Sequence, residues 1–323
     1  MRFVLAGGSG QIGALVVRWL HRRGDAAVVL TRRPRPDAGV RQVEWDACTL
    51  GPWRTELDGA DVLINLAGRS VNCRYSPANR EAIKRSRVDS TRILGAALAA
   101  SSRPPRLWLQ SSTATIYAHR YDAPNDEATG ILGGDEPGAP DTWRFSIDVA
   151  RSWEHAAGES APSATRLVKM RSAMVMSPDP GGVFATLLGL VRAGLGGASG
   201  DGRQFVSWIH EHDFVRAIEW LVDREHLDGA VNLAAPHPLP NAVFMRGLRE
   251  AWGTRIGLPA SRWMLELGAI ALRTETELVL KSRRVIPGRL LSDGFVFEYP
   301  HWSAAAAELC ARWRAPVERP RHE

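Results

Sequence analysis

Arg2-Phe3-Val4-Leu5-Ala6-Gly7-Gly8-Ser9-Gly10-Gln11-Ile12-Gly13 is the stretch that decides the fold. The residues ahead of Gly7 form a short apolar run, enough for one buried strand. Leu15, Val16, Trp19 and Leu20 then recur at helical spacing, and Gly24 stands where that helix would close. Ala27-Val28-Val29-Leu30 reads as a second strand ending in Thr31-Arg32-Arg33. Strand, glycine turn, helix, strand is the first half of a dinucleotide-binding unit. In such a turn Gly7 permits a tight exit from the strand, and Gly10 removes the side chain where backbone meets a pyrophosphate. Gly13 lets the helix pack closely on the sheet. Gln11 and Ile12 open a helix whose free N–H groups and dipole favour phosphate.

The end of the second strand selects the cofactor. An NAD site carries an Asp or Glu there to accept from the ribose 2′-OH, whereas Arg suits a 2′-phosphate. Arg32 and Arg33 follow Thr31 with no carboxylate at that point, so NADP(H) is expected. A solvated basic turn is the plainer reading of the same two residues.

The 323 residues suffice for one large α/β domain and a smaller lobe. The net charge of +6 comes almost wholly from arginine, since Lys84, Lys169 and Lys281 are the only lysines. The arginines are scattered and not gathered on one element, which argues against a nucleic-acid partner. Cys48, Cys73 and Cys310 are odd in number and lack metal or redox spacing, so free thiols in a reducing compartment are expected and no metal site. No secretory leader is read ahead of the first strand. The most apolar candidate for a membrane span, 183–198, is broken by Arg192 and glycines. A soluble, cytoplasmic protein is expected, with its oligomeric state left open.

Val40 to Trp45 reads as a third strand. Asp46 beyond it either approaches adenine or caps a loop. Asp61 to Ala67 is a buried strand running into Leu66-Ala67-Gly68, small enough for backbone to pass close to the riboses. A long helix spans Pro77 to Ala100, with Ile83, Val88, Ile93, Leu94 and Leu98 on one stripe and Arg87 on its surface. Leu107 to Ser112 is a further strand, with Ser111 placed among the cofactor contacts, and Thr113-Ala114-Thr115-Ile116-Tyr117 follows it.

The glycine pattern, Asn65-Leu66-Ala67-Gly68 and Ser111-Ser112-Thr113-Ala114-Thr115-Ile116-Tyr117 together resemble the extended short-chain dehydrogenase/reductase superfamily, which includes the nucleotide-sugar epimerases. By that resemblance Thr113 takes the place of the catalytic Ser or Thr, whose hydroxyl contacts the reacting oxygen. The superfamily's Tyr-x-x-x-Lys pair is missing. With Glu154 aligned on the superfamily's usual helix Glu, Ser146 falls at the Tyr position and Ala150 at the Lys position. The chain resembles one atypical branch in particular, labelled epimerase-like and carrying a C-terminal domain of unknown function. That branch also lacks the pair and has a Trp-Glu dipeptide on this helix, here Trp153-Glu154.

Arg171 to Ser177, Gly181-Gly182, Gln204 to His210, Asn232 to Pro236 and Val285 to Leu291 continue the likeness over about nine-tenths of the chain. It implies that Leu66, Ala67 and Arg87 join Arg32 and Arg33 in holding NADP, and that Val175 approaches the nicotinamide. Two segments depart from the branch: Cys73-Arg74-Tyr75, where two arginines and a Trp are usual, and Ala118-His119-Arg120 after Tyr117. Both are expected to border the substrate cleft.

The expected architecture is α/β: a Rossmann-type doubly wound parallel sheet over residues 1–235, part of 171–235 also facing the cleft. A smaller, mostly helical C-terminal lobe covers 236–323. Its helices are read at Asn241 to Trp252, Arg262 to Leu272, Glu275 to Lys281 and His301 to Trp313, and Trp263, Arg273, Arg283 and Arg289 are candidates to face a substrate. His210 and Asp213 lie at the junction, where the Asp is expected to cap a helix. The leading functional reading is an NADP(H)-dependent oxidoreductase or epimerase-like protein acting on an unidentified small molecule. Thr113 and Tyr117 are its catalytic candidates, with Tyr75, Asp148 and His210 as other proton donors. The alternative is a non-catalytic NADP(H)-binding protein that regulates or binds a partner.

Overall fold

The computed structural model describes residues 1–261 and 277–315. A seven-stranded sheet runs β10-β6-β5-β4-β1-β2-β3. Its strands are β1 (Arg2–Ala6), β2 (Ala26–Thr31), β3 (Arg41–Glu44), β4 (Val62–Asn65), β5 (Leu107–Thr113), β6 (Arg166–Ser172) and β10 (Gly229–Leu233). Every pairing in it is parallel. The strand order reverses between β1 and β4, which opens a crevice at the carboxyl ends of those two strands.

Parallel strands need helical crossovers, so both faces of the sheet are covered and its strands read as apolar runs. Phe3, Val4, Leu5 and Ala6 are all fully buried. Phe3 and Leu5 join the cluster made with α1 (Gln11–Arg23) and α5 (Glu211–Asp223), while Val4 and Ala6 join the opposite cluster made with α2 (Pro77–Ala99). α2 starts at the Ser76 cap, whose hydroxyl accepts from Asn79 N at 3.3 Å. α3 (Asp141–Ser160) packs along α2 and carries Ser146, Ala150, Trp153 and Glu154. Of the apolar stripe expected on α2, Ile83, Leu94 and Leu98 are buried, whereas Val88 and Ile93 are only partly covered.

A second body of packing lies beside the sheet. α4 (Val183–Arg192), α6 (Asn241–Trp252) and α9 (Trp302–Arg314) share a cluster with β7 (Met174–Met176) and β9 (Trp208–His210), which pair in parallel. Trp302 stacks on Phe244 at 4.1 Å and donates its indole N–H to the Phe244 carbonyl at 2.8 Å. β8 (Phe205–Val206) pairs with β11 (Leu239–Pro240), and two short helices, α7 (Glu277–Leu280) and α8 (Gly288–Ser292), lead into the last segment. The helix expected at Arg262 to Leu272 lies outside the described residues, as do Trp263 and Arg273. No helix among the described residues is long and apolar enough to cross a membrane.

The junction differs from expectation in one respect. The cap of α5 is His210, whose Nδ1 accepts from His212 N at 3.1 Å, and not Asp213. Asp213 is fully buried one turn in, where its carboxylate accepts from Glu298 N and Tyr299 N, both at 2.8 Å. It therefore fastens the chain ahead of α9 to α5.

The β1–α1 turn explains its own glycines. Gly7 has φ +73° and faces Ala67 so closely that a Cβ would stand 2.7 Å from the Ala67 Cα. A Cβ on Gly13 would collide with the Gly8 carbonyl, so the constraint there is the turn itself and not, as the sequence pattern predicts, packing of the helix on the sheet. Gly10 meets nothing within 4 Å. Gly13→Ala is expected to destabilise the fold by more than about 2 kcal/mol in urea denaturation, whereas Gly10→Ala leaves the midpoint nearly unchanged. Equal midpoints would refute this account of the turn.

Candidate active site

The crevice between β1 and β4 is held by backbone and buried amides. Gly7 N donates to Leu30 O at 2.9 Å and Leu66 N to Ala6 O at 2.8 Å, so the loops leaving β1 and β4 run side by side. Asn65 Oδ1 accepts from Ala67 N at 3.0 Å, and its amide donates to Thr91 Oγ1 and Gln110 Oε1 at 3.1 and 3.0 Å. All three partners are buried, and the arrangement fixes the Leu66-Ala67-Gly68 turn over α2 and β5. The first turn of α1 holds no acidic residue and, among the described residues, no side chain caps it, so its N–H groups suit an anion. Gln11 reaches Asp179 O at 3.5 Å, and Gly182 leaves room for it. Ile12, Leu66 and Val175 pack against one hydrophobic cluster at this edge.

Thr31, at the end of β2, donates its hydroxyl to Ser9 Oγ at 3.2 Å. Arg32 and Arg33 beyond it are exposed, and among the described residues no carboxylate engages either. Asp46 caps its loop, accepting from Cys48 N and Thr49 N at 2.8 Å and from the Thr49 hydroxyl at 2.6 Å. Those bonds, the Thr49 hydroxyl first, pull its carboxyl down to about 2. Arg87 lies under Gly68. Its guanidinium donates to the carbonyls of Arg69 and Ile83 at 3.0 and 3.1 Å and stacks over Trp153 at 5.1 Å. Burial without a carboxylate partner among the described residues lowers it to about 10.

At the end of β5 the residues divide. Thr113 is half-buried, and its Oγ1 accepts from Thr115 N at 3.2 Å. Ser111 is half-buried two residues earlier, its carbonyl accepting from Gln110 at 2.9 Å. Tyr117 is buried and its hydroxyl belongs to another network: it donates to Asn232 Oδ1 at 2.9 Å and accepts from Arg171 Nη1 at 2.9 Å. Arg171 in turn grips Glu154 through two bonds of 2.8 Å, and the Ser112 hydroxyl reaches Glu154 at 2.6 Å. Burial pushes the Tyr117 phenol above its ordinary value, against the pull of Arg171. A buried hydroxyl with both its donor and acceptor roles filled is poorly placed for proton transfer. The structure therefore puts Thr113 and Tyr117 in one turn without making them a pair.

Asp148 and His210 are also engaged elsewhere. Asp148 pairs with Lys84 at 2.8 Å on the surface. His210 is fully buried, stacked on Tyr299 at 4.0 Å and bonded to Glu308 at 2.9 Å. Arg289 donates to the carbonyls of Asp228 and Ala230 beside β10.

A profile of the NAD dependent epimerase/dehydratase family matches residues 3–234, and one of a domain of unknown function, DUF1731, matches residues 260–309. The chain belongs to the NAD dependent epimerase/dehydratase family. It is 30% identical over 315 residues to the epimerase family protein SDR39U1 of Bos taurus, covering 96% of this chain and 100% of that one. The Homo sapiens protein of that name is 29% identical over 314 residues, with the same coverage. A crystal structure of the human protein (isoform 2) with NADPH superposes at a TM-score of 0.83, covering 96% of this chain and 99% of that chain. A nucleoside-diphosphate sugar epimerase from Corynebacterium glutamicum is 26% identical at a TM-score of 0.75, covering 96% of this chain and 58% of that chain.

In this family member the C-terminal segment closes on the turn that follows Thr113. Lys281 is buried, and its ammonium donates to Thr115 O at 2.6 Å with no ion-pair partner among the described residues. Arg283 donates to Thr115 Oγ1 at 3.0 Å and pairs with buried Glu277 at 2.7 Å. His119 Nδ1 accepts from Ser282 N at 2.7 Å. Sequence reading missed these contacts because Lys281 and Thr115 are 166 residues apart and no motif joins them.

Burial first, then the neighbouring Arg283, lowers the Lys281 amine from 10.5 to about 7. Between those values the unfolded chain holds a proton that the folded chain has released. Stability contributed by this group therefore rises with pH across the window and is lost as pH falls through 7. Relative to Lys281→Met, the wild type should gain stability from pH 6.5 to 9.5 in urea denaturation. Parallel pH profiles would show that the amine titrates normally.

Proposed function

We propose that the chain is an NADP(H)-dependent oxidoreductase of the epimerase-like branch, acting on a small molecule that carries a carbonyl or a secondary alcohol. The observation that carries this reading is the exposed, carboxylate-free pair Arg32 and Arg33 at the end of β2, beside a glycine turn that opens a helix. In this reading Gly7, Gly10, Gln11, Ile12 and Gly13 present backbone to the pyrophosphate, with Thr31 holding the turn through Ser9. Leu66, Ala67 and Gly68 flank the riboses, and Arg87 supplies a cation behind them. Ser111 and Val175 lie toward the nicotinamide end.

The bound nicotinamide supplies the hydride chemistry. Thr113 positions the reacting oxygen through its hydroxyl. Glu277 and Arg283 border the cleft from the C-terminal side, and the free thiols of Cys48, Cys73 and Cys310 suit a reducing cytoplasm. Ser146 and Ala150, where the superfamily carries Tyr and Lys, favour a second reading: a non-catalytic NADP(H)-binding protein that regulates or binds a partner.

Fluorescence titration separates the cofactor claim from the rest. NADPH should bind more tightly than NADH, and Arg32→Ala or Arg33→Ala should weaken NADPH about tenfold or more while leaving NADH unchanged. Failure to bind either nucleotide would refute both readings. Consumption of NADPH in a panel of small ketones and aldehydes, reduced in Thr113→Ala, would favour the enzyme over the second reading.

A further inference from the structure

The helix that lacks its tyrosine has another one beside it. Tyr75 enters from the loop after β4, and its hydroxyl stands 3.5 Å from Ser146 Oγ, at the very position on α3 where the superfamily's tyrosine would be rooted. The ring is held edge-on to Phe145 at 5.0 Å and packed with Ile83 and Val149, while Arg80 Nε grips the Tyr75 carbonyl at 2.9 Å. Ser146 Oγ lies 3.2 Å from Glu277 Oε2. An ionised carboxylate only accepts, so Ser146 gives its proton to Glu277 and offers a lone pair to the Tyr75 hydroxyl. Arg283 fixes the other oxygen of Glu277 and bonds Thr115, whose N–H meets Thr113 Oγ1. One chain of hydrogen bonds thus runs from Tyr75 to Thr113.

We infer that Tyr75 is the proton-transferring residue of the cleft, with Ser146 and Glu277 as positioning residues that extend its hydrogen bond into the C-terminal segment. This inference rests on the oxidoreductase reading and names the group that would move the proton in it. Among the described residues, the charged groups that bear on this cluster are Arg80, on the Tyr75 carbonyl, Arg87 from α2, and Glu277, on Ser146 and paired with Arg283. Arg87 lies near enough to Tyr75 for the two groups to feel each other's charge. A cation beside a phenol favours its ionised form, the task of the missing lysine. The remaining tyrosines stand elsewhere: Tyr117 in the Arg171 network, Tyr121 exposed, and Tyr299 stacked on His210. Tyr75 also belongs to Cys73-Arg74-Tyr75, a stretch in which the sequence departs from its branch.

In alcohol oxidation the substrate O–H proton passes to the Tyr75 oxygen as the Tyr75 proton passes to Ser146 and the Ser146 proton to Glu277. The carbinol C–H leaves as hydride to the oxidised nicotinamide, and the C=O bond forms. Ketone reduction runs the same path backward from protonated Glu277.

Labelling with 3-fluorotyrosine gives four ¹⁹F signals, and Tyr75→Phe assigns the relevant one. Glu277→Gln should lower the Tyr75 ionisation midpoint by at least about half a pH unit, because it removes a negative charge, and Ser146→Ala should also move it. The Tyr121 signal should stay in place. Saturation with NADP⁺ should shift the Tyr75 signal. With any ketone of the panel, Tyr75→Phe should slow turnover roughly a hundredfold at unchanged NADPH affinity. A Tyr75 midpoint indifferent to both variants overturns the relay. A Tyr75 signal unmoved by bound nucleotide, or a Tyr75→Phe variant as fast as the wild type, overturns the catalytic role and leaves the cofactor reading standing. Failure of the wild type to bind nucleotide overturns both.

Discussion

The close approach of Gly7 to Ala67 is the constraint on which the site depends. Two parallel strands, β1 and β4, end at the point where strand order reverses, and the loops leaving them must diverge without a side chain between them. Gly7 meets this with a positive φ, and the Asn65 side chain meets it from the other direction by holding the Ala67 N–H. A Cβ at Gly7 would press on the Ala67 backbone and close the crevice. The free helix N-terminus of α1 and the cations at the end of β2 have meaning only because this crevice is open.

Around that crevice the molecule sorts its ionisable groups by burial. Glu154 and Arg171 form a buried bidentate pair that takes further hydrogen bonds from Ser112 and to Tyr117, the kind of support that lets a buried pair be tolerated. Tyr117 is drawn into that structure and is held there. Arg87 and Lys281 are the reverse case: both are largely buried, their hydrogen-bond partners among the described residues are backbone carbonyls, and both are pushed below their ordinary values. Glu277 and Glu136 offset part of the shift at Lys281, where burial still dominates.

The C-terminal segment is attached by directional bonds as much as by apolar contact. Asp213 accepts two backbone N–H groups ahead of α9, Ser207 accepts from Val285 N at 2.9 Å, and Arg283 crosses to Thr115. These bonds set residues 277–285 against the turn after Thr113 in one register. Placement of Glu277 beside Ser146 follows from that register and from nothing local to either residue.

The sequence by itself determined the parallel α/β architecture, because periodicity, glycine turns and helix caps are local signals and each element's apolar pattern states which faces are covered. It also carried the local signals of the crevice edge: Gly7 to Gly13, Arg32 and Arg33, and Leu66 to Gly68 are three short stretches, each of which follows the end of a strand and is legible by itself. Only tertiary structure decided the chemistry of the other edge. Tyr117 stands beside Thr113 in the chain, yet its hydroxyl is held by Arg171 and Asn232, and Asp213 stands at a helix start, yet its backbone partners lie 85 and 86 residues away. Tyr75, Ser146 and Glu277 come from three distant parts of the chain. Hydrogen bonds between such residues leave no spacing to read, since the distance that matters is set by helix packing and not by the number of residues between them.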